Sequence, residues 1–333
     1  MKKFITLFLT TLVTICNAQS SKKISLLNTF HIASSGGWDY LAVGPVHNWL
    51  YVSHGAQVNI LNKITGDSVG VIENTTGVHG IAFDVNNNKG FTSNGRLNNV
   101  TVFDMNSNKV LTQIAVGANP DAIMYEPFTK MIITCNGRGK NLTFINPANN
   151  LVIDSIAVAG KPETAVSDEK GKLYVNIEDK NEIVEIDLIK KKIINKWSLA
   201  PGEGPTGLAI DVKTRRLFAT CDKLLIIIDA DNGKIIDKVP IGDGCDGAAF
   251  DVKLKNIYTS NGDGTLTVIH EKNANSFVVI DNVLTKKSAR TIALDPLTHR
   301  LYLPAAEFEQ PIVGEKGRPK MKAGSFQILV VGE

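Results

Sequence analysis

Residues 79–119 read HGIAFDVNNNKGFTSNGRLNNVTVFDMNSNKVLTQIAVGAN, and this stretch decides the fold. It contains four short runs rich in β-branched and apolar residues, HGIAFDV, GFTSN, VTVFDM and VLTQIAV, separated by turns rich in Asn, Gly and Lys. Such runs between such turns are typical of antiparallel strands joined by tight connections. No stretch of the chain carries an apolar period of about 3.6 residues, so little helix is expected. The stretch therefore predicts one four-stranded antiparallel sheet.

The same pattern recurs seven times in the 333 residues, and each copy begins its first strand with a polar or charged residue. We call these seven residues the openers. They are Asp39, His79, Asp121, Glu163, Thr206, Asp246 and Arg290, separated by 40, 42, 42, 43, 40 and 44 positions. Four-strand units at this period are typical of β-propeller blades, and small residues on each first strand fit the narrow centre of a radial array. The sequence therefore predicts an all-β, seven-bladed β-propeller of four-stranded antiparallel blades, formed by residues 19–333 as a single domain.

The two ends of the chain are expected to build one blade between them. After Arg290 the last copy has only two strands, RTIALD and RLYLP, and its third strand, SFQILVV, appears near the C-terminus. Residues 24–33, ISLLNTFHIA, have the pattern of a fourth strand without a blade of their own. Pairing them with the C-terminal strand completes the seventh blade and removes exposed sheet edges. The connection at residues 306–323 is long for a compact domain, which is typical of a functional or a disordered segment.

The first eighteen residues have the pattern of a cleaved secretory signal. Lys2 and Lys3 precede an apolar run, residues 4–15, and Cys16-Asn17-Ala18 places small residues before Gln19. An apolar run of this length is too short to span a membrane, and no later segment reaches the roughly 18 apolar residues that a span requires. We therefore predict a periplasmic or secreted protein without a membrane span.

Composition and motifs argue against several classes of function. Of 36 Lys and Arg, two are lost with the signal, which leaves 34 against 33 Asp and Glu. This balance, with 7% aromatic residues, gives little basis for nucleic-acid binding. The chain has no G-x-S-x-G, P-loop or Rossmann motif and no CxxCH, which argues against a serine hydrolase, a nucleotide enzyme and covalently attached haem.

Three cysteines remain after the signal, Cys135, Cys221 and Cys245. Because Cys221 and Cys245 fall on the same face of neighbouring blades, a disulfide between them is geometrically possible. The alternative is that all three are small buried hydrophobic residues.

The second strands of the copies resemble a known repeat. LYVSHG, FTSNG, ITCNG, YVNIE and YTSNG are similar to the Tyr-Val-Thr-Asn repeat of the YVTN/YncE-like seven-bladed propellers, and the resemblance extends over residues 24–332. It implies the propeller fold, whereas it implies no single activity, because that family is a scaffold used for several purposes. Its relatives include lactonase-type propellers, propellers associated with haem or quinone, and one class that binds single-stranded DNA.

One face of the propeller is expected to carry the site. In an up-and-down blade the first strand begins on the face where the second strand ends, so the openers share a channel mouth with the ends of the second strands. The predicted ligand-binding residues are Asp39, His54, His79, Asn94, Asp121, Asn136, Glu163, Glu178, Asp246, Asn261, Arg290 and Glu307. Acidic groups in a narrow mouth repel one another unless a cation, a shared proton or a polyhydroxyl ligand compensates them. The alternative is a merely solvated channel.

Two functions follow from this arrangement. The first is non-enzymatic binding of a small molecule or peptide at the channel mouth by a monomeric propeller. The second is a metal-dependent hydrolase of the lactonase type, in which Ca²⁺ or Zn²⁺ polarises a carbonyl and His54 or His79 is the general base. The candidate metal ligands are Asp39, His79, Asp121, Glu163 and Asp246. Single-stranded nucleic-acid binding is a third class, which the acidic mouth opposes.

Overall fold

A computed structural model describes residues 23–34, 36–309 and 319–333. Within these ranges the chain forms 28 β-strands and two 3-10 turns, Val85–Asn87 and Glu178–Lys180. The strands form seven sheets of four antiparallel strands each, which confirms the predicted all-β, seven-bladed propeller. No helix in these ranges has the length and apolarity needed to cross a bilayer. The predicted signal at residues 1–18 lies outside the described residues, as do residues 310–318 of the long connection.

Six blades are built from four consecutive strands, and the seventh includes the first strand of the chain. The first strand is β1, Ser25–His31. Blade 1 consists of β2 Trp38–Val43, β3 Trp49–His54, β4 Gln57–Asn62 and β5 Ser68–Ile72. Blade 2 consists of β6 Val78–Asp84, β7 Lys89–Asn94, β8 Asn99–Asp104 and β9 Val110–Ala115. Blade 3 consists of β10 Pro120–Glu126, β11 Met131–Asn136, β12 Asn141–Asn146 and β13 Leu151–Ala157.

The remaining blades continue around the ring. Blade 4 consists of β14 Pro162–Ser167, β15 Lys172–Ile177, β16 Glu182–Asp187 and β17 Lys192–Ser198. Blade 5 consists of β18 Leu208–Asp211, β19 Arg216–Cys221, β20 Leu224–Asp229 and β21 Ile235–Pro240. Blade 6 consists of β22 Cys245–Asp251, β23 Asn256–Asn261, β24 Thr265–Asn273 and β25 Ser276–Leu284. Blade 7 contains β26 Ala293–Leu294, β27 Leu301–Ala305 and β28 Gln327–Gly332.

The N-terminal strand closes the ring as the fourth strand of blade 7. Strand β1 pairs antiparallel with β28, from Ser25 opposite Gly332 to His31 opposite Gln327. Between blade 7 and blade 1, the hydroxyl of Tyr302 donates a hydrogen bond to the carbonyl oxygen of Lys63 at 2.9 Å. Each innermost strand contacts the innermost strand of the next blade, and β26 of blade 7 contacts β2 of blade 1. The seven blades therefore form a closed ring.

Asparagine-rich turns separate the strands for a conformational reason. Asn88, Asn108 and Asn150 have φ of 52°, 57° and 61°, the left-handed region that Asn tolerates better than most residues. Between β8 and β9, Oδ1 of Asp104 accepts hydrogen bonds from the amides of Asn106 and Ser107. These local bonds satisfy the turn backbone, so each hairpin is largely specified by its own residues.

Small residues allow the innermost strands to approach closely, as the sequence predicted. A Cβ on Gly80 would lie 3.1 Å from the amide nitrogen of Ile123 in the next blade. A Cβ on Gly207 would lie 2.5 Å from the amide nitrogen of Ala248. The backbones of neighbouring first strands are therefore in direct contact, which leaves little lateral freedom for the openers that precede these glycines.

Candidate functional site

The openers of five blades lie in β-bulges near the start of the innermost strand. In β2, Asp39 and Tyr40 together face the single residue Ser53 of β3, because the pairing register shifts at this point. Equivalent shifts occur in four other first strands, around His79, Asp121, Glu163 and Asp246. A bulge interrupts the ladder and redirects a side chain. The same local feature, a β-bulge, therefore positions five of the seven openers.

Serines one position before the end of the second strand hold two of these bulges, and they were not predicted from the sequence. The amide of Asp39 donates to Oγ of Ser53 at 3.0 Å, and the amide of Gly80 donates to Oγ of Ser93 at 2.9 Å. Oγ of Ser93 also donates to the carbonyl oxygen of Asp121 in the next blade. The available signal was a recurring small or polar residue one position before the end of the second strand.

Asp39, His79 and Asp121, from blades 1 to 3, form a close cluster. Nδ1 of His79 lies 2.5 Å from Oδ2 of Asp39 and 3.7 Å from Oδ1 of Asp121. Burial lowers the pKa of His79, but the hydrogen bond to Asp39 and the negative charges of Asp121 and Glu163 outweigh it, so the pKa is raised. His79 therefore keeps its proton to a higher pH than an ordinary histidine, and the protonated ring offsets part of the repulsion between the two aspartates.

Two further cations flank the carboxylates of Asp39, Asp121, Glu163 and Asp246, which we call the ring of acids. Nζ of Lys161 lies 2.5 Å from Oε1 of Glu163 and also pairs with Glu178. In blades 6 and 7, Nε of Arg290 lies 3.4 Å from Oδ2 of Asp246. The side chains of Lys161 and Arg290 are 40% and 48% exposed, whereas Glu163 is 8% exposed. The cations therefore occupy the rim and the carboxylates lie deeper.

Tyr40, which follows the first opener, is near enough to these carboxylates for their charges to act on it. Its pKa is raised well above the ordinary value by burial and then by the negative charges of Asp121, Asp39, Glu163 and Asp246. Carboxylates from four blades therefore act on one hydroxyl group. The sequence analysis did not select Tyr40, although the residue after the opener is small in the other copies.

The carboxylates themselves have raised pKa values. Burial raises the pKa of Asp121 to about 7, and the charge of Asp39 adds to the rise. Burial raises the pKa of Glu163 to about 8, and the charge of Asp121 adds to it. Burial raises the pKa of Asp246 to about 6, against the opposing effect of Arg290. Burial, with a smaller contribution from neighbouring carboxylates, therefore makes these groups harder to ionise than ordinary carboxyls.

A small apolar chamber lies directly behind the openers of blades 1 to 4. Its volume is about 150 Å³. It is lined by residues that follow the openers, together with residues of the adjoining strands: Tyr40, Leu41, Gly80, Ile81, Ala122, Ile123, Met124, Ile133, Cys135, Thr164 and Ala165. An apolar cavity of about 150 Å³ can hold a benzene-sized group. The mouth thus combines a ring of acids with an apolar recess.

Asn94, Asn136 and Asn261 are placed apart from this site, inside their own blades. All three side chains are fully buried. Oγ1 of Thr92 donates to Oδ1 of Asn94 at 2.9 Å, and Nδ2 of Asn94 donates to Oγ1 of Thr101 at 2.8 Å. The same bonds recur around Asn136 and Asn261. These asparagines tie the second strand to the third strand and present no group to the channel.

His54 is also part of the packed interior. It is fully buried, its ring stacks on Phe326 at 4.0 Å, and its two nitrogens contact Oγ of Ser34 at 2.7 Å and the carbonyl oxygen of Gly36 at 2.9 Å. Burial lowers its pKa. Both ring nitrogens are already engaged, so the structure provides no role for His54 as a general base.

Glu307, the last of the predicted ligand-binding residues, lies at the edge of the mouth. Glu307 is exposed and pairs with Lys286 at 3.5 Å and Lys322 at 3.3 Å. Oγ1 of Thr206, the opener of blade 5, donates to the carbonyl oxygen of Cys245 at 3.0 Å and so fixes backbone rather than facing a ligand. The structure thus brings together Asp39, His79, Asp121, Glu163, Glu178 and Asp246, with Arg290 at the rim.

The three cysteines of the described chain are free thiols. Cys135, Cys221 and Cys245 are all buried, and the disulfide considered for Cys221 and Cys245 is not formed. Burial raises the pKa of Cys221 and of Cys245 to about 12. These thiols therefore behave as small apolar groups, the alternative that the sequence left open.

Comparisons with known proteins support the fold and give no information about the site. The sequence matches no protein-family model and no curated protein. Among solved structures, the chain is similar to hydrazine synthase of Kuenenia stuttgartiensis, with a TM-score of 0.72 and 15% sequence identity over 82% of this chain and 94% of that chain. The fold and the site together define a seven-bladed β-propeller with an acidic channel mouth.

Proposed function

We propose that this chain is an exported, non-enzymatic propeller of the YVTN/YncE-like type that binds a small cationic ligand at the channel mouth. The observation that carries the proposal is the cluster at the mouth, where carboxylate oxygens of Asp39 and Asp121 lie 2.5 Å and 3.7 Å from Nδ1 of His79. Export is part of the proposal and is supported by the pattern of residues 1–18.

Electrostatics favour a positive ligand over a neutral one. Asp121, Glu163 and Asp246 all have raised pKa values, and repulsion between neighbouring carboxylates contributes to each of them. A bound cation would relieve that repulsion and stabilise the ionised forms. Tyr40 lines the chamber, and its aromatic ring offers a further favourable surface for a cation.

The chamber behind the acids favours a cation with a small apolar body. Its apolar lining offers no charged partner, so the charged end of a ligand would remain among the carboxylates while the apolar end fills the recess. Benzylammonium has this shape and is a suitable probe. We expect the protein to bind benzylamine and not benzyl alcohol, because only the former carries the charge.

Titration calorimetry with the two probes tests this expectation. Asp121→Asn should weaken benzylamine binding by about tenfold or more, which corresponds to about 1.4 kcal/mol. Glu73→Gln, at an exposed residue of blade 1, is the matched control and should leave the affinity unchanged. Equal affinity for the amine and the alcohol, or binding that Asp121→Asn does not alter, would overturn the proposal.

A metal-dependent hydrolase of the lactonase type is a second candidate. One ligand atom from each of Asp39, His79 and Asp121 lies within 4.8 Å of the others. Two carboxylates and an imidazole suit Zn²⁺, which catalytic sites often hold with three protein ligands. However, Nδ1 of His79 is engaged with Asp39, so ligation through that nitrogen requires the loss of this hydrogen bond. When His79 is protonated, it supplies positive charge where a metal ion would.

Elemental analysis of protein purified without chelators separates the two candidates. The binding proposal predicts well under one equivalent of Zn or Ca, because His79, 2.5 Å from Asp39, competes with the ion for this carboxylate. About one equivalent of metal, lost in Asp39→Asn and retained in Glu73→Gln, would instead establish a metal centre. In that case lactones and esters become the substrates to assay.

A further inference from the structure

A second, larger pocket opens on the same face, outside the ring of acids. Its volume is about 790 Å³, and it lies between the connection into blade 1, the connection between blades 6 and 7, and the two described limbs of the long connection in blade 7. We call it the rim pocket. The residues that give it its character are Trp38, Phe308, Met321, Lys287, Arg290 and Lys320. The function proposed for the channel makes no use of it.

One wall of the rim pocket is aromatic and is held in place by described residues. The ring of Trp38 packs at 5.2 Å from buried Phe326 and at 6.0 Å from Phe308. Phe308 forms an antiparallel bridge with Met321, and beside it the amide of Glu309 donates to the carbonyl oxygen of Lys320 at 2.7 Å. The ring of Phe308 remains 38% exposed. The pocket therefore presents a fixed apolar surface to solvent.

The charged residues that line the rim pocket are positive. Lys287, Arg290 and Lys320 line it. Arg290 lies 3.4 Å from Asp246, whereas neither Lys287 nor Lys320 lies within ion-pair distance of a carboxylate among residues 23–34, 36–309 and 319–333. The electrostatic preference of the rim pocket is therefore opposite to that of the channel mouth.

We propose that the rim pocket binds a small anionic ligand with a planar apolar body, such as an aromatic carboxylate or sulfonate. The volume falls in the range of about 300–1,000 Å³ that is usual for small-molecule sites. The planar body would lie against Trp38 and Phe308, and the anionic group would face Lys287 and Lys320. Arg290, between Asp246 and the pocket, separates the two sites on this face.

A matched pair of fluorescent probes tests both parts of the proposal, the anionic group and the planar apolar body. 1-Anilinonaphthalene-8-sulfonate carries an aromatic body and a sulfonate, and N-phenyl-1-naphthylamine carries the same body without the charge. We expect about one site for the sulfonate on the native protein, with energy transfer from tryptophan. The double variant Lys287→Glu with Lys320→Glu should weaken the sulfonate by about tenfold or more and the neutral probe by less than about threefold.

Further variants assign the site and separate it from the channel. Phe308→Ser should weaken both probes, because it removes part of the exposed aromatic wall. Lys272→Glu, an exposed residue at the end of β24, is the charge control and should change neither affinity. Asp121→Asn should also leave both affinities unchanged, so this result does not depend on the function proposed for the channel. The proposal fails if the native protein does not bind the sulfonate, or if the double variant binds it as tightly as the native protein.

Discussion

Gly207→Ala should destabilise the protein by about 3 kcal/mol or more, although it adds a single methyl group. The new Cβ would lie 2.5 Å from the amide nitrogen of Ala248 and 2.7 Å from the carbonyl carbon of Gly247. Both are backbone atoms of the neighbouring blade, so a side-chain rotation cannot relieve the contact. Strands β18 and β22 would have to separate, and the opener Asp246 lies in the strand that moves. Urea unfolding monitored by circular dichroism measures the loss.

Gly70→Ala is the matched control for this effect. Gly70 lies in β5, the outermost strand of blade 1, and no atom lies within 4 Å of its Cβ position. Alanine there restricts the unfolded chain without a native clash, so we expect a change of less than about 1 kcal/mol, in the stabilising direction. If the two variants are equally stable, the innermost strands of blades 5 and 6 are not in the close contact described.

The number of blades and the position of the openers were predictable from the sequence because each repeat carries its own strand and turn signals. Asn88 and Asn108 mark their turns through their left-handed backbone, and the seventh blade could be inferred from the unpaired strands at the two ends of the chain. Properties of this kind depend on short stretches of sequence, so they can be recognised without knowledge of the packing.

Which polar residues face the channel was not predictable in the same way. Asn94 and Asp121 are both polar residues expected at the same mouth, yet one is buried among threonines of its blade and the other reaches the channel. The difference arises because Asp121 lies in a bulge, whereas Asn94 lies in regular pairing with Asn99. Register and bulges depend on contacts across strands, which a single repeat does not reveal.

Tyr40 shows a second limit of the sequence analysis. An aromatic residue after a polar opener suggests ordinary core packing, and only the assembled blades show that the charges of four carboxylates act on it. A comparison of the copies would have helped, because the equivalent positions hold small residues such as Gly80, Ala122 and Thr164. The departure of one copy from the others was the available signal.

Asp121→Asn should remove part of the loss of stability that we expect in the native protein as the pH rises. Urea unfolding with a chelator present measures this effect. Burial and neighbouring charge raise the pKa of Asp121 to about 7 and that of Glu163 to about 8. In the unfolded chain both carboxyls titrate near about 4. Between these values the folded chain retains protons that the unfolded chain has lost, so the native protein should become less stable as pH rises from about 4 to about 8.

The side-chain amide that this substitution introduces cannot ionise, so the repulsion at high pH is removed. One pKa unit corresponds to about 1.4 kcal/mol, and part of the shift is shared with Glu163, so we expect a gain on the order of 2 kcal/mol at about pH 8. At about pH 4 the native Asp121 is itself protonated, and the two proteins should be nearly equal in stability. Glu73→Gln should follow the native profile at every pH.

A stabilising substitution that also removes benzylamine binding would have a specific physical meaning. It would show that the carboxylates at the mouth are held in an unfavourable arrangement that a bound cation relieves, and that the fold itself does not need their charge. If Asp121→Asn is less stable than the native protein at about pH 8, the ionised carboxylate is already compensated within the chain. The acidic mouth would then be a structural network, and the proposal that it binds a cationic ligand would lose its main support.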